Sequence, residues 1–507
     1  MKNKILSLSM GSHDSSYAIF ENNNLVIHEE LERINRIKET NECIITYLES
    51  IGHFLDDFDY VLTFPHNDYI FYSPKYLEYK SKNPNKCIEV GHHTSHAANA
   101  FFSSDFNNSL ILTIDGGGWD VFNDNMTPST LTIWEGSENN LNLLYHTYEP
   151  NLGGIWSDCV REIFNLSSGG PPYGSQAGTV MAMTSMSDEI LIPERPFNQY
   201  SNSDTQTKFN LAAGIQKITE DVIYSLLKEY LEKYKYENLC VSGGVALNCV
   251  MMGKIKSWFP EIKNVFVPPV PYDAGLAIGC AQYYLHSVKN IQRPKEGLYN
   301  SPYLGRKYDK DLVIESIKKN NLQYEIVTDE LVIDLLINKN IISVFGGGSE
   351  SGRRALGNRS ILADPRHSDI KDLINQKVKH RQNFRPFAPS ILKDYVSEWF
   401  VEDVDSPYMS FAIPFKNEKK HLVPAVVHLD GTGRLQTVTK KSNEWYYNFI
   451  NIFNNKTGVP ILLNTSFNDK EPIVETPKDA INCFLNTEIN YLYFREFNIL
   501  VKKNYEL

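Results

Sequence analysis

At 507 residues, 42% hydrophobic and 22% charged, the chain has the composition of a soluble globular protein too long for one core, so two domains or three are expected. Its 61 acidic residues outnumber 50 lysines and arginines, and the net charge of −11 excludes a general nucleic-acid binder, which would carry a basic face against phosphates. No segment reaches the roughly 20 apolar residues of a membrane span, and the seven cysteines, lacking any CxxC, read as buried reduced thiols of a cytoplasmic protein.

In chain order, residues 5–10 read as a strand, Gly11 to Ser16 as a polar turn and 17–20 as a second strand. Asn22-Asn23-Asn24 then leads into a third strand at 25–28. Gly91-His92-His93-Thr94-Ser95-His96 opens a helix that 97–102 continue. The earlier grammar then returns, with a strand at 110–114, the turn Asp115-Gly116-Gly117-Gly118, and strands at 129–134 and 141–145. Two copies of strand, acidic turn and strand suggest an internal duplication; two unrelated hairpins are the alternative.

Helical spacing is clearest over 211–234, where Ile215, Ile218, Val222, Leu226, Leu227 and Leu231 recur. A strand at 239–241, the loop Ser242-Gly243-Gly244 and a helix through Asn248 and Met252 follow. A strand at 265–267, a loop holding Asp273 and a helix over 274–285 complete an α/β alternation. Pro294, Gly297, Pro302 and Gly305 break the rhythm and separate a domain over 1–290 from one over 311–507. The second reads as a smaller mixed α/β domain, with helices at 312–319 and 331–337 and strands at 341–345, 411–414, 425–429 and 459–463.

Four side chains carry metal chemistry. His92 and His96, at i and i+4, share one helical face and can grip one ion, although a bare HxxxH is as readily a solvated or capping pair. Asp115 ends a strand and Asp273 follows another, where ligands gather in α/β sheets. Two histidines and two aspartates suit iron(II), manganese or zinc. The glycine turns at 115–118 and 242–244 free backbone N–H groups for phosphate oxygens, with a helix N-terminus behind the second; tight turns are the plain alternative. Neither is a Walker loop or a GxGxxG fingerprint.

The second domain holds Gly346-Gly347-Gly348-Ser349-Glu350-Ser351-Gly352-Arg353-Arg354, then Lys379-His380-Arg381, Phe384-Arg385-Pro386-Phe387, His428 through Arg434, and Asn464-Thr465-Ser466-Phe467-Asn468. Arginines beside glycines grip phosphate bidentately, against the plainer reading of surface salt bridges. Arg385 and Arg434 sit in apolar or turn-rich surroundings, where a bound anion relieves an otherwise costly charge.

With these motifs in this order, from Gly11-Ser12-His13-Asp14-Ser15-Ser16 to Asn464-Thr465-Ser466-Phe467-Asn468, the chain closely resembles the antibiotic and nodulation-factor carbamoyltransferases, including the tobramycin and cephalosporin enzymes. The resemblance implies an α/β fold: a duplicated actin-like (ASKHA) N-terminal domain of the tRNA-threonylcarbamoylation type, fused to a YrdC-like C-terminal domain. It implies that the C-terminal domain makes carbamoyl-adenylate from carbamoyl phosphate and ATP, and that the N-terminal domain passes the carbamoyl group to a hydroxyl of a small, probable natural-product acceptor.

By motif match, His92, His96, Asp115 and Asp273 fall on the family's metal ligands, usually iron, and Mg could accompany the ATP. His13 falls on the catalytic histidine. Ser242, Gly243, Gly244 and Asn248, with Gly116 and Gly117, fall on nucleotide-binding turns. Arg354, Lys379, Arg385, Arg434, Asn464 and Ser466 fall on the carbamoyl phosphate and ATP site, with Lys379 and Arg385 as its catalytic cations. No nucleic acid or membrane partner is expected, and a homodimer is compatible. The family's Gly-Arg-x-Glu-Phe-Gly-Pro-Arg-Ala-Leu-Gly becomes Gly347 through Gly357 here, with Gly348 for the arginine and Arg353 for the proline. The stretch Gly174-Ser175-Gln176-Ala177-Gly178 lacks the usual lysine. The rival readings are an actin-fold kinase, threonylcarbamoyl transfer to tRNA, which the acidic charge disfavours, and a sensing scaffold without catalysis.

Overall fold

The computed structural model describes residues 3–66, 72–122, 124–166, 176–294 and 301–503. The chain separates into two compact units, Met1–Ser301 and Pro302–Leu507. Gly174, Ser175 and Gly297, singled out in the sequence, lie outside the described residues.

The first unit holds two five-stranded sheets. One is built from β1 (Lys4–Ser9), β2 (Ser16–Glu21), β3 (Asn24–Glu30), β4 (Tyr60–Thr63) and β5 (Cys87–Glu89), in the order β3-β2-β1-β4-β5. The other comes from β6 (Asn108–Phe122), β7 (Asn125–Ser137), β8 (Asn140–Thr147), β9 (Asn238–Ser242) and β10 (Asn264–Phe266), in the order β10-β9-β6-β7-β8. In each, three consecutive strands pair antiparallel as hairpins, and two later ones add parallel on the far side of the first. Left-handed residues close the hairpins: Asn22 and Asn23 at φ 50° and 67°, Asp124 at 62° and Glu138 at 54°. One topology used twice is the actin-like duplication that the repeated strand grammar suggested.

The helices of this unit include α1 (His92–Phe102), α2 (Leu152–Glu162), α3 (Thr205–Tyr234), α4 (Cys249–Trp258) and α5 (Leu276–Tyr283). Every residue of α1 is buried, including its histidines, because it packs against α5 on one side and β6 on the other. Ala97, Ala98 and Ala100 keep it slim enough to fit.

The second unit carries β11 (Gln323–Ile326), β12 (Ile342–Phe345), β13 (Arg359–Ala363), β14 (Ala388–Leu392), β15 (Phe411–Pro414), β16 (Thr432–Val438), β17 (Ile461–Ser466), β18 (Tyr491–Phe494) and β19 (Ile499–Lys502). They form one nine-stranded mixed sheet, β11-β19-β18-β12-β13-β17-β14-β16-β15, with helices such as α6 (Lys310–Lys319), α7 (Asp329–Ile337), α8 (Ile370–Lys377), α9 (Glu444–Thr457) and α10 (Pro477–Asn486).

Two expectations are corrected. Residues 425–429 are no strand: Pro424–Val426 is a 3-10 turn, and the strand comes later, as β16. Nor does the chain reverse at Asp115-Gly116-Gly117-Gly118. β6 runs on to Phe122 through a bulge, its pairing with β7 jumping from Ile114↔Leu131 to Gly118↔Ser129. Three residues of β6 there, 115–117, face one of β7, Thr130, and glycines permit the kink; Gly117 sits at φ 143°.

Candidate metal centre and anion site

The bulge puts Asp115 opposite the N-terminal turn of α1. His92 Nε2 lies 3.0 Å from Asp115 Oδ2 and 3.8 Å from Asp273 Oδ1. His96 Nε2 stands 3.6 and 3.5 Å from the same two oxygens. One ligand atom from each of the four residues falls within 4.8 Å of the others. Around an ion about 2.1 Å from each donor, neighbouring ligands stand roughly 3.0–3.4 Å apart. His96 Nε2 is buried and has no hydrogen-bond partner. A buried nitrogen between two carboxylates, too far from both for a good hydrogen bond, is a candidate metal donor.

Burial alone would lower the pKa of His96; Asp115 and Asp273 more than reverse this and raise it to about 9. Asp115 moves the opposite way. Burial works against ionisation, but His92 and His96 hold it well below the ordinary carboxylate range. The cluster is thus charged on both sides, and a metal ion replaces the imidazole protons when it binds.

Three of the four candidate ligands are held from behind. Asp115 Oδ1 accepts from Gly244 N–H at 3.0 Å, which leaves Oδ2 to the histidines. Ser242 Oγ donates to the Pro271 carbonyl at 3.0 Å and lies 3.4 Å from His96 Nδ1. The Asp273 carbonyl accepts from Ser9 Oγ at 3.0 Å, and the next carbonyl, Ala274, from Ser16 Oγ at 2.7 Å and His28 Nε2 at 2.9 Å.

His93 serves a different end. Its Nδ1 meets Thr113 Oγ1 at 2.5 Å and its Nε2 the Ser129 carbonyl at 2.9 Å, and burial lowers its pKa to about 4. It is a neutral clamp between α1 and the sheet.

His13 joins the centre, with Nδ1 2.9 Å from Asp14 Oδ2 and Nε2 3.8 Å from Asp273 Oδ2. Burial opposes its charge, but Asp14 and Asp273 raise its pKa to about 9. The glycine turns also hold the framework of the site. Gly243, at φ 94°, has no room for a side chain, since a Cβ would stand 2.1 Å from the Ile114 carbonyl oxygen. Its N–H donates to Pro271 O at 2.7 Å, and the Gly244 N–H is the one on Asp115. Asn248 caps α4 through Met251 N–H at 3.0 Å, and its amide donates to Gln216 Oε1 at 2.7 Å. The Gly116 carbonyl accepts from Asn151, the N-cap of α2, at 2.8 Å, while Gly117 carries the bulge.

In the second unit the predicted residues are spread over strands and the loops beside them: Asn464 and Ser466 lie on β17, Arg434 on β16, Lys379 just after α8 and Arg354 in the loop before β13. Lys379 is buried, and its ammonium donates to the Ser466 carbonyl at 2.5 Å, the Asn468 carbonyl at 2.8 Å and Asn468 Oδ1 at 2.7 Å, with Ser466 Oγ at 3.2 Å. The fully buried Asn464 donates to Ala355 O at 3.1 Å, Ser390 Oγ at 3.1 Å and Gln436 Oε1 at 2.8 Å, and its own Oδ1 has no partner. Arg354 adjoins this network through the Ala355 backbone and is half-buried.

Arg385 just precedes β14 and Arg434 lies on β16. Burial, then the charge of Arg434, lowers the pKa of Arg385. Burial, then Arg385 and Arg434, push that of Arg381 well down. Burial lowers His428 to about 4 against the opposing charge of Asp430, with Arg434 and Lys371 acting in the same direction as burial. Three guanidinium groups that repel one another, beside a neutral imidazole, make a candidate anion site. Arg381, Lys371 and His428 were not assigned to it from sequence. Arg381 stood two residues after Lys379 in a quoted motif, whereas nothing marked Lys371, the second residue of α8. At the substituted Gly348 a Cβ would meet the carbonyl oxygens of Gly305 at 2.8 Å and Tyr303 at 3.0 Å, so the arginine's place is closed here.

Family models match segments in both units. Residues 177–282 match the carbamoyltransferase N-terminus model, and 333–502 match the carbamoyltransferase C-terminus model. The nodulation protein NolNO of Sinorhizobium fredii is 33% identical over 97% of this chain and 79% of the relative. The nodulation protein NolO of Bradyrhizobium diazoefficiens is 35% identical over 82% of this chain and 79% of the relative. Full-length HypF in its phosphate- and nucleotide-bound form covers 55% of each chain at 15% identity and a TM-score of 0.41, too loose a likeness to carry an argument. With both halves matched in order and relatives aligned along most of their length, the chain belongs to the carbamoyltransferase family, and it is a carbamoyltransferase.

Proposed function

We propose that this carbamoyltransferase is ATP-dependent and divides its reaction between its two units, with carbamoyl-adenylate as the intermediate. In the second unit, water cleaves carbamoyl phosphate to carbamate and inorganic phosphate, and the carbamate oxygen then bonds the α-phosphorus of ATP as pyrophosphate leaves. Two polyanions must meet there, and fixed cations offset their repulsion. Arg381, Arg385 and Arg434 supply that charge, while Arg354, Asn464 and the Lys379–Ser466 pair shape the wall beside it.

In the first unit the adenylate lies against the turn from Ser242 to Asn248, and the acceptor hydroxyl attacks its carbonyl carbon as AMP leaves. The observation that carries this reading is the convergence of His92, His96, Asp115 and Asp273 on one point. A divalent ion held there, iron(II) being the family's usual choice, would polarise an oxygen of the adenylate. His13, oriented by Asp14, takes the hydroxyl proton; a divalent ion bound at Asp273 would offset that carboxylate's share of the charge that, after Asp14, holds the imidazole protonated. The acceptor is a small hydroxylated molecule, and Mg2+ accompanies ATP in the second unit.

The division of labour is tested by His92→Ala. The variant should lose metal and acceptor transfer yet keep making pyrophosphate from ATP and carbamoyl phosphate. Equal loss of both half-reactions would refute the separation.

A further inference from the structure

We infer that Asp120 is a positioning residue of the metal centre: it fixes the first turn of α1 so that His92 and His96 face Asp115. This rests on the metal reading above and names a residue outside the ligand set.

A helix leaves its first N–H groups without internal partners, and a side chain at the N-cap normally accepts from the second and third helical residues. The N-cap of α1 is Gly91, which has no side chain to offer. Asp120, far along the chain on β6, does the work instead. Its Oδ2 accepts from His93 N–H at 3.0 Å, and its Oδ1 from Thr94 N–H at 2.9 Å and Thr94 Oγ1 at 3.0 Å. The carboxylate is fully buried. Glycine at 91 is what admits it, because a Cβ there would stand 2.2 Å from Asp120 Oδ1.

The same strand carries a metal-ligand candidate and the cap. In an unbroken strand, residues five apart point to opposite faces. The bulge between Ile114 and Gly118 cancels that alternation, so Asp115 meets the His92 ring while Asp120 meets the backbone one residue further on. Strand and helix are therefore pinned at two points flanking the first imidazole. His93, clamped to Thr113 and Ser129, adds a third on the sheet side. A capping bond made only for stability could come from a serine at 91. A cap from the strand that bears Asp115 sets the distance between two ligands.

The test uses the full chain freed of metal by chelation and titrated with cobalt(II), whose visible absorption reports ligand geometry, with affinity read by chelator competition. Asp120→Ala should weaken cobalt binding on the order of 10- to 100-fold, as loss of a partner behind the ligands does, and alter the band. Asp120→Asn, which keeps one acceptor oxygen, should fall between. Gly91→Ala, which leaves Asp120 in place but crowds its oxygen, should move affinity the same way and serves should the Asp120 variants not fold. Phe101→Leu, further along the buried face of α1, is the control: lower melting temperature, unchanged cobalt affinity and band.

If Asp120→Asn and Gly91→Ala behave like Phe101→Leu, the cap is merely structural and the inference is overturned. If the wild-type chain shows no cobalt spectrum, the metal reading itself fails, and this one with it.

Discussion

Gly118→Ala tests the geometry of the metal centre without touching any ligand. A Cβ at 118 would stand 2.1 Å from His92 Cγ and 2.2 Å from its Cδ2. Ordinary carbon contacts begin near 3.4 Å, so the ring or the strand must yield by about 1.3 Å. Metal–ligand distances tolerate only about 0.2 Å, which one added methyl group exceeds several-fold. The substitution should therefore remove His92 from the donor set. Metal affinity should fall by more than the roughly 10- to 100-fold typical of changes behind the ligands. Overpacking in a buried site should cost about 1–3 kcal/mol of stability besides. Metal content after gel filtration, beside a urea unfolding curve, separates the two effects. A folded Gly118→Ala protein that keeps a full equivalent of tightly bound metal would show that His92 is not a ligand.

Two further outcomes follow from the charges. In metal-free protein His13 and His96 both have pKa values raised to about 9, above the ordinary 6.5, so the stability they contribute is complete below pH 6.5 and lost as pH rises towards 9. The urea midpoint of metal-free protein should fall across that window and stay level once metal has displaced the protons; a level metal-free curve would contradict the assignment. In the second unit, pyrophosphate at 100 times its dissociation constant should stabilise the protein by about 2.7 kcal/mol. Arg385→Met should lose most of that shift without destabilising the unliganded chain, because it removes a charge that Arg434 repels. Undiminished protection by pyrophosphate would place the anion elsewhere.

Much of this was legible in the sequence, and what was not has identifiable causes. The duplicated sheets announced themselves because each begins with hairpin strands separated by asparagine-rich or acidic turns. His92, His96, Asp115 and Asp273 were legible because helix spacing and strand ends place residues without knowledge of the rest. The glycine run after Asp115 misled: three glycines signal a turn, yet the strand absorbs them as a bulge, a choice made by the neighbouring imidazole and not by local propensity. Ala425-Val426-Val427 is too short an apolar run to tell a strand from a 3-10 turn, and Pro424 decides it. Asp120 was invisible because regular alternation places it on the wrong face. Lys371, Arg381 and His428 join Arg385 and Arg434 only through the tertiary fold, which no spacing reveals.

The most direct measurement is the product formed when purified protein, ATP and carbamoyl phosphate are mixed without any acceptor. The account predicts pyrophosphate, dependent on Arg385 and indifferent to His92→Ala. ADP in its place would indicate a kinase, and pyrophosphate formation unaffected by Arg385→Ala would remove the second unit's cation cluster from the chemistry.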